Sequence, residues 1–328
     1  MVVLTLLLRD EADIVESQVR YHLSHGVDHV IATDHRSADG STEILQRFEA
    51  EGRLHLIREE VAEFDHSGWA SRMARLAATE FGADWVLHSD ADEFWWPRHG
   101  TICEVLAAVP PAVGVIRGFV RHFAPRPADD RPFYERMVAR ARPVDDRHGL
   151  YFPQLHVAHR GCATAELSWG KHDVAGVGLG RLVRDWYPFE ILHFPLRSAA
   201  QMARKYIQGR EAEQTALAAA AGGGTWHWEA AYQLLQTLSP EELYAARFVN
   251  DAELEAGLRA GQFVIDTRLR DVLSGSVAGP RPATREEDVD FYDELQIMVQ
   301  IDAAKQLTTG ANALERRLTS IQGQSVGR

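Results

Sequence analysis

Residues 85–97 of the chain read WVLHSDADEFWWP, a short apolar run followed by two aspartates one residue apart and an aromatic segment. A strand that ends in carboxylates at i and i+2 can aim both at one divalent cation at the edge of a sheet. Mg²⁺ and Mn²⁺ take oxygen ligands and keep positions open for water and substrate phosphates. Asp90 and Asp92 therefore predict a nucleoside diphosphate or polyphosphate site, although acidic pairs in loops are commonly solvated turn residues.

Apolar runs alternate with amphipathic segments before this motif. Strands are predicted at residues 2–8, 29–33, 54–57 and 85–88, with helices at about 10–25, after 37 and at about 68–81. This order is typical of a doubly wound parallel sheet, in which ligands lie beyond the carboxyl ends of the strands. Arg9, Asp34 and Asp90 occupy such ends, so we expect them to converge in space.

The pattern changes after Pro97. Strands are predicted at 113–120, 154–159 and 190–194 without regular helices between them, which indicates a mixed extension of the sheet. From about residue 198 the sequence is mostly helical. We therefore predict an α/β mixed sheet flanked by helices over residues 1–200 and a mainly α-helical C-terminal extension over 201–328.

Composition excludes some classes of protein. The 328 residues carry a formal net charge of -12, which argues against a nucleic-acid-binding surface. Cys103 and Cys162 cannot form a disulfide framework, so we expect a reducing, cytoplasmic compartment. The apolar N terminus lacks the basic region and cleavage site of a signal peptide, and no stretch has the length of a membrane span.

Four segments together resemble a family 2-type glycosyltransferase. They are the turn Arg9-Asp10-Glu11, the segment Gly26-Val27-Asp28, the loop from Asp34 to Ser41 (DHRSADGS) and the acidic motif from Trp85 to Phe94. The likeness covers residues 1 to about 97 closely and extends loosely to about 205. It implies the GT-A fold, a Rossmann-like fold of nucleotide-diphospho-sugar transferases. The chain departs from the family at His88-Ser89, where aliphatic residues are usual, and at Asp10, which replaces Asn.

The resemblance also implies roles for single residues. Asp34 would accept hydrogen bonds from the donor base, and Asp39 and Arg72 would line the nucleotide pocket. Asp92 would be the principal ligand of a divalent cation, Mn²⁺ or Mg²⁺. Asp90 would face the ribose or donor sugar near the metal, and His193 would complete the metal shell or touch the diphosphate. Arg9 and Glu11, in the turn after the first strand, belong to the same donor site.

Each of these residues has a structural alternative. Asp34 and Asp39 could cap the following helix, and His193 could be a core histidine. Lys171, Arg197 and Lys205 could neutralise the diphosphate as charge develops on the leaving nucleotide, or they could be solvated side chains on flexible stems. Most tryptophans are core residues, and we expect only Trp169 and Trp96 to face a sugar.

The sequence thus predicts a metal-dependent glycosyltransferase that uses a UDP- or GDP-type sugar donor. The acceptor could be a small molecule, a glycan or a lipid-linked compound, and the helical C-terminal part offers a surface for a homodimer. An inverting reaction needs a carboxylate to deprotonate the acceptor hydroxyl, and the candidates are Asp173 and Glu166, with Asp129, Asp130 and Glu135 as further options. The alternatives are a nucleotidyltransferase of related fold, although the first loop lacks its glycines, and a non-catalytic nucleotide-sugar-binding protein.

Overall fold

Strands and helices alternate strictly along the first 90 residues. The apolar run at the N terminus forms a strand whose seven residues are all buried, as a parallel strand covered on both faces requires. The computed structural model describes residues 1–144, 150–178, 186–214, 226–297 and 299–300. The first elements are β1 (Val2–Leu8), α1 (Val15–Ser24), β2 (His29–His35), α2 (Ser41–Ala50), β3 (Leu54–Glu59), α3 (His66–Thr79) and β4 (Trp85–Asp90).

Short strands and helices follow the acidic motif. A 3-10 turn, Trp169–Lys171, lies between the ninth and tenth strands. The elements are β5 (Glu93–Pro97), α4 (Ile102–Ala108), β6 (Val115–His122), α5 (Phe133–Arg136), β7 (Ala139–Ala141), β8 (Leu155–Arg160), β9 (Glu166–Leu167), β10 (Val174–Ala175), β11 (Phe189–His193), α6 (Ala199–Glu213), α7 (Trp226–Leu235), α8 (Pro240–Ala245), α9 (Asp251–Arg259), β12 (Phe263–Ile265) and α10 (Arg268–Leu273). The strands predicted at 113–120, 154–159 and 190–194 are confirmed as β6, β8 and β11. The sequence did not predict β5, β7, β9, β10 or β12.

Eight of the strands form one mixed sheet in the order β3-β2-β1-β4-β8-β6-β11-β5. Strands β3, β2, β1 and β4 run parallel, as the alternation of strands and helices predicts. Strand β8 is antiparallel to both of its neighbours, and β5 is antiparallel to β11. The predicted fold class, a mixed sheet flanked by helices, is therefore confirmed.

The two faces of β1 pack against different helices. Leu4 lies in a buried cluster with Val15 of α1 and Phe48 of α2. Val3, which points to the opposite face, lies in a cluster with Trp69 of α3. Helices on both faces thus remove the strand from water, and each fully buried aliphatic side chain contributes roughly 1.5–3 kcal/mol to folding.

The chain divides into two compact units. One comprises residues 1–142 and 154–282, so α6 to α10 belong to the same unit as the sheet. The other comprises residues 143–153 and 283–328, and its described part includes a helix at 285–297. The predicted domain boundary at residue 200 stays a prediction, and residues 301–328 of the predicted extension lie outside the described residues. None of the helices in the described ranges combines the length and apolar character needed to cross a membrane.

Candidate functional site

The carboxyl ends of three strands meet at one edge of the sheet. Leu8 of β1 pairs with Asp34 of β2, and Leu7 pairs with Asp90 of β4. Arg9 follows β1 directly. The three residues predicted to converge are therefore all at this edge, where open α/β sheets bind their ligands.

His193, the last residue of β11, approaches the acidic motif from the other half of the sheet. It pairs in register with Glu93 of β5 and with His122 of β6. The Nδ1 atoms of His193 and His122 lie 2.9 Å apart, so one ring donates a hydrogen bond to the other. This contact leaves Nε2 of His193 toward Asp92, at 3.5 Å from Oδ2.

Asp92 is a buried carboxylate surrounded by cationic groups. Its Oδ2 lies 2.5 Å from Nζ of Lys205 and 3.8 Å from a terminal nitrogen of Arg197, in addition to the contact with His193. Burial raises the pKa of Asp92, but Lys205, His193 and Arg197 together hold that pKa well below its usual range. The carboxylate is therefore ionised and is held among positive charges.

Arg197 is held by the turn that follows β1. Its guanidinium contacts Glu11, donates to Asp13 at 2.7 and 2.9 Å, and donates to the carbonyl oxygen of Phe194 at 2.9 Å. Burial raises the pKa of Glu11 to about 7 against the opposing effect of Arg197. With 1% of its side chain exposed, Arg197 joins the segment after β11 to the β1–α1 loop, and its predicted contact with a diphosphate stays a prediction.

Asp90 has a different lysine partner. Nζ of Lys171 in the 3-10 turn contacts Oδ1 of Asp90, and the side chain of Lys171 is almost completely buried. The backbone N–H of Asp90 donates to Glu93 at 2.9 Å, and His156 lies 3.2 Å from the same oxygen of Glu93. Burial raises the pKa of Glu93, but His156 and Lys171 lower it far below its usual range. Glu93 thus fixes the turn of the motif, and the sequence signal for it was its place directly after Asp92.

Asp34 and Asp39 hydrogen-bond within the loops at this edge. Asp34 accepts from the backbone N–H of Ser37 at 3.2 Å and from the hydroxyl of Thr42. Asp39 accepts from the hydroxyl of Ser41 at 2.6 Å and from the backbone N–H of Ala12 at 3.0 Å. The N-cap of α2 is Gly40, so neither aspartate is the helix N-cap in the strict sense. Their roles toward a donor base stay predictions.

Helix α6 lies over the β1–α1 loop. It begins after Ser198, whose hydroxyl accepts from the backbone N–H of Gln201 at 3.2 Å and caps the first turn. Besides Lys205, it carries Gln208, whose amide contacts Asp10, and Glu211, which lies 3.1 Å from Arg9. Gln208 was not predicted, since a glutamine on a helix is ordinary without knowledge of its neighbour.

Other predicted residues lie in more exposed surroundings. Asp173 is two-thirds exposed beside β10, 3.9 Å from Arg117, and Glu166 is exposed on β9. Arg72 pairs with Glu59 at 2.5 Å. The structure does not connect these residues to Asp92 by any contact, and their predicted roles stay predictions. Asp129 pairs with Arg131, whereas Asp130 and Glu135 lie near it in sequence on the same segment.

The two tryptophans expected to face a sugar differ in their burial. Trp169 is half-buried, and its ring lies 5.0 Å from the ring of His66 and 5.9 Å from that of Phe64. Trp96 is 2% exposed and stacks 6.0 Å from Tyr21 in the core. The prediction for Trp96 is wrong, because its ring packs between Tyr21 of α1 and the guanidinium of Arg268, which cover this edge strand of the sheet.

The number and spacing of the side chains around Asp92 show whether they could bind a divalent cation. Within the described ranges, no three His, Cys, Asp or Glu side chains are grouped so as to hold a metal ion. Asp92 and His193 supply two ligand atoms 3.5 Å apart, less than the roughly 4 Å between opposite ligands of an ion bound at about 2.0–2.1 Å. Mg²⁺-type sites often use one or two protein ligands and are completed by substrate phosphates, so Asp92 and His193 fit such an ion. Asp90, the third predicted ligand, contacts Lys171, and its role as a metal ligand stays a prediction.

No family model matches the chain, and no curated protein sequence matches it. Solved structures are similar to parts of it. TarS of S. aureus in complex with UDP is 11% identical over 67% of this chain and 68% of that one, with a TM-score of 0.32. Mannosyltransferase PcManGT of Pyrobaculum calidifontis, in complex with GDP-Man and Mn²⁺, is 17% identical over 93% and 86%, with a TM-score of 0.34. Glucosyl-3-phosphoglycerate synthase of Mycobacterium tuberculosis, in complex with Mn²⁺, UDP and glucosyl-3-phosphoglycerate, is 18% identical over 37% and 44%, with a TM-score of 0.27. At these identities and scores, the likeness assigns no ligand or activity to this chain.

Proposed function

We propose that the chain is a glycosyltransferase that moves a sugar from a nucleoside diphosphate donor to an acceptor hydroxyl with the help of a divalent cation. One observation supports this proposal above the others. The buried, ionised Asp92 at the carboxyl edge faces His193 and Lys205 at 3.5 and 2.5 Å, a combination suited to a cation and the diphosphate that it neutralises.

The reaction breaks the bond between the anomeric carbon and the diphosphate oxygen and forms a bond to the acceptor oxygen. Asp92 and His193 would hold the cation, which as a Lewis acid neutralises the leaving diphosphate. Lys205 and Lys171 add positive charge at the same edge, where negative charge develops on the departing nucleotide. A carboxylate takes the acceptor proton if the reaction inverts, and Asp173 and Glu166 remain its candidates.

The donor belongs to the class of nucleoside diphosphate sugars, of UDP or GDP type. The acceptor is a small molecule, a glycan or a lipid-linked compound. We also propose that the protein is cytoplasmic and that its helical C-terminal part forms a homodimer.

The decisive experiment compares donor turnover in two variants. Purified protein is incubated with a panel of UDP- and GDP-sugars, with Mn²⁺ or with a chelator, and release of the nucleoside diphosphate is measured. Asp92→Asn keeps the shape of the side chain but removes its charge, and we expect turnover to fall by roughly 10²–10³-fold, as for other lost transition-state interactions. Asp251→Asn is the control, because Asp251 is 93% exposed in a surface ion pair with Arg126.

Three results would contradict the proposal or redirect it. Full activity in Asp92→Asn would remove Asp92 from the mechanism. Nucleotide binding without turnover of any donor would favour the non-catalytic alternative. Release of pyrophosphate from a nucleoside triphosphate and a sugar phosphate would favour a nucleotidyltransferase.

A further inference from the structure

The ammonium group of Lys205 and a cation held by Asp92 and His193 would compete for one oxygen of Asp92. Nζ of Lys205 lies 2.5 Å from Oδ2, and Nε2 of His193 lies 3.5 Å from the same atom. If Asp92 and His193 hold a cation, that ion needs this oxygen. An ammonium group at hydrogen-bonding distance and a divalent ion on the same oxygen would repel each other at close range.

We propose that Lys205 occupies the cation position in the ligand-free protein and moves to the donor diphosphate when the cation and nucleotide bind together. This inference rests on the proposed function. It makes cation binding depend on the nucleotide, because the nucleotide supplies the anionic groups that receive the displaced ammonium. By linkage, the cation strengthens nucleotide binding by the same factor.

Lys205 is the cation at this site that is able to move. A quarter of its side chain is exposed, and besides Asp92 its ammonium contacts only the carbonyl oxygen of Pro195, at 3.3 Å, among the described residues. Arg197 is buried and bound to Glu11, Asp13 and a backbone carbonyl. A lysine ammonium on a flexible four-carbon stem can change partner by rotamer changes alone.

The second lysine of the site, Lys171, is less exposed than Lys205 and lies on a more constrained backbone. Lys171 is 1% exposed, and its backbone adopts φ +58, which fixes the turn that carries it. Its partner, Asp90, is 41% exposed, so solvent reaches the carboxylate and not the ammonium group. Lys171 therefore stays with Asp90, and the exchange is confined to Lys205.

The test measures Mn²⁺ binding directly, from the signal of free Mn²⁺ in electron paramagnetic resonance, without and with UDP or GDP. In the wild type we expect weak binding of Mn²⁺ alone and about tenfold or more tighter binding with the nucleotide that is recognised. In Lys205→Met, Mn²⁺ alone should bind about tenfold or more tighter than in the wild type, and the gain on adding the nucleotide should be smaller than in the wild type, because only the phosphate ligands and not the displaced ammonium then contribute to it. Arg210→Met is the matched control, since it removes one positive charge from the same helix at a residue paired with Glu229.

Each outcome decides the inference. Wild-type affinity for Mn²⁺ in Lys205→Met, or the same gain in Arg210→Met, overturns it while leaving the proposed function in place. If the wild type binds neither nucleotide with Mn²⁺, the proposed function fails as well. Lys205→Gln serves as a second variant if Lys205→Met fails to fold, because an amide of similar length can still hydrogen-bond to Asp92. Melting curves establish that each variant is folded.

Discussion

At the scale of single residues, His22 shows how burial fixes a protonation state. His22 is fully buried on α1, and its Nε2 accepts a hydrogen bond from the backbone N–H of Trp95 at 3.1 Å. Its Nδ1 lies 2.8 Å from the carbonyl oxygen of Gln18 and must therefore be the donor of that bond. Both ring nitrogens are satisfied in the neutral form, and a second proton would break the bond to Trp95. Burial lowers the pKa of His22 from 6.5 to about 4, against the opposing effect of Gln18.

This lowered pKa predicts acid sensitivity. The unfolded chain takes up a proton at His22 below about pH 6.5, whereas the folded protein does so only near pH 4, so stability is present above pH 6.5 and is lost as the pH falls. Between these values the free energy of unfolding should fall by about 1.4 kcal/mol per pH unit from this residue alone. Urea unfolding at a series of pH values gives the free energy of unfolding as a function of pH. In His22→Gln, this free energy should fall less steeply with decreasing pH, by that amount per pH unit. The free energies of unfolding of the two proteins should change equally with pH between pH 7 and 8, and equal changes between pH 4 and 6 would contradict the assignment.

Residue types and their order predicted where the acidic groups lie, but not their partners. Asp90 and Asp92 were predicted at the edge of the sheet because they end an apolar run, and the structure places them there. Their partners, Lys171 and Lys205, lie 81 and 113 residues further along the chain. No local pattern specifies such a pair. Arg197 illustrates the same limit, since no local pattern predicts that Glu11 and Asp13, more than 180 residues earlier, enclose its guanidinium.

At the scale of elements, a buried ion network joins the far half of the sheet to the C-terminal helices. Glu190 of β11 lies 2.6 Å from Nε of Arg121 on β6 and 3.0 Å from Arg268 on α10. Arg268 also pairs with Asp266 at 2.7 Å. Burial raises the pKa of Glu190, but Arg268 and Arg121 hold it well below its usual range. The carboxylate therefore neutralises two buried arginines from two different elements.

Removal of that charge should destabilise the protein strongly. In Glu190→Gln, Arg121 and Arg268 lose their shared buried carboxylate, and breaking such a pair costs about 3–5 kcal/mol. Glu255→Gln on α9 removes the same charge from an exposed pair with Arg259, where both side chains are 72% exposed, and should cost about 0.5 kcal/mol or less. Urea unfolding of both variants gives the two costs. Similar values would show that the buried network adds nothing beyond an ordinary surface pair.

The lengths of elements explain which of them the sequence predicts. The parallel strands carry short apolar runs, such as Val30-Ile31-Ala32 of β2 and Trp85-Val86-Leu87 of β4, and the amphipathic helices between them have clear periodicity, so the sequence predicts both. Strand β5 was missed because it begins one residue after Asp92 and is aromatic on both faces. Strand β12 has three residues inside a mostly helical stretch, and its partner β7 lies about 120 residues earlier. So short a strand forms because it pairs with a distant strand, and the local sequence does not reveal that partner.

At the scale of the whole molecule, the C-terminal helices are part of the unit that contains the sheet. Leu269 of α10 belongs to the same buried cluster as the even-numbered residues of β1. The hydroxyl of Tyr244 donates to the carbonyl oxygen of Arg126 at 2.8 Å. Together with the pairing of β12 to β7 and the contact of Lys205 with Asp92, these contacts connect residues 199–214 and 226–282 to the first 142 residues at several separate places. The sequence predicts helices here but not what they pack against, because helical composition does not reveal it, and the domain boundary at residue 200 stays a prediction.

Truncated chains show whether the sheet folds independently of the C-terminal helices or only together with them. A chain that ends after residue 200 loses Leu269 from the core, the partner of β7, and one of the two arginines that pair with Glu190, so we expect it to lose cooperative thermal unfolding and to bind a hydrophobic dye. A chain that ends after residue 282 keeps every one of these contacts and should melt in a single transition. Circular dichroism and dye fluorescence on the two truncated chains and the full chain provide the measurement. If residues 1–200 melted cooperatively at the temperature of the full chain, the sheet would be independent of the C-terminal helices. Lys205 would then come from a separate domain, and the site around Asp92 would depend on how that domain docks.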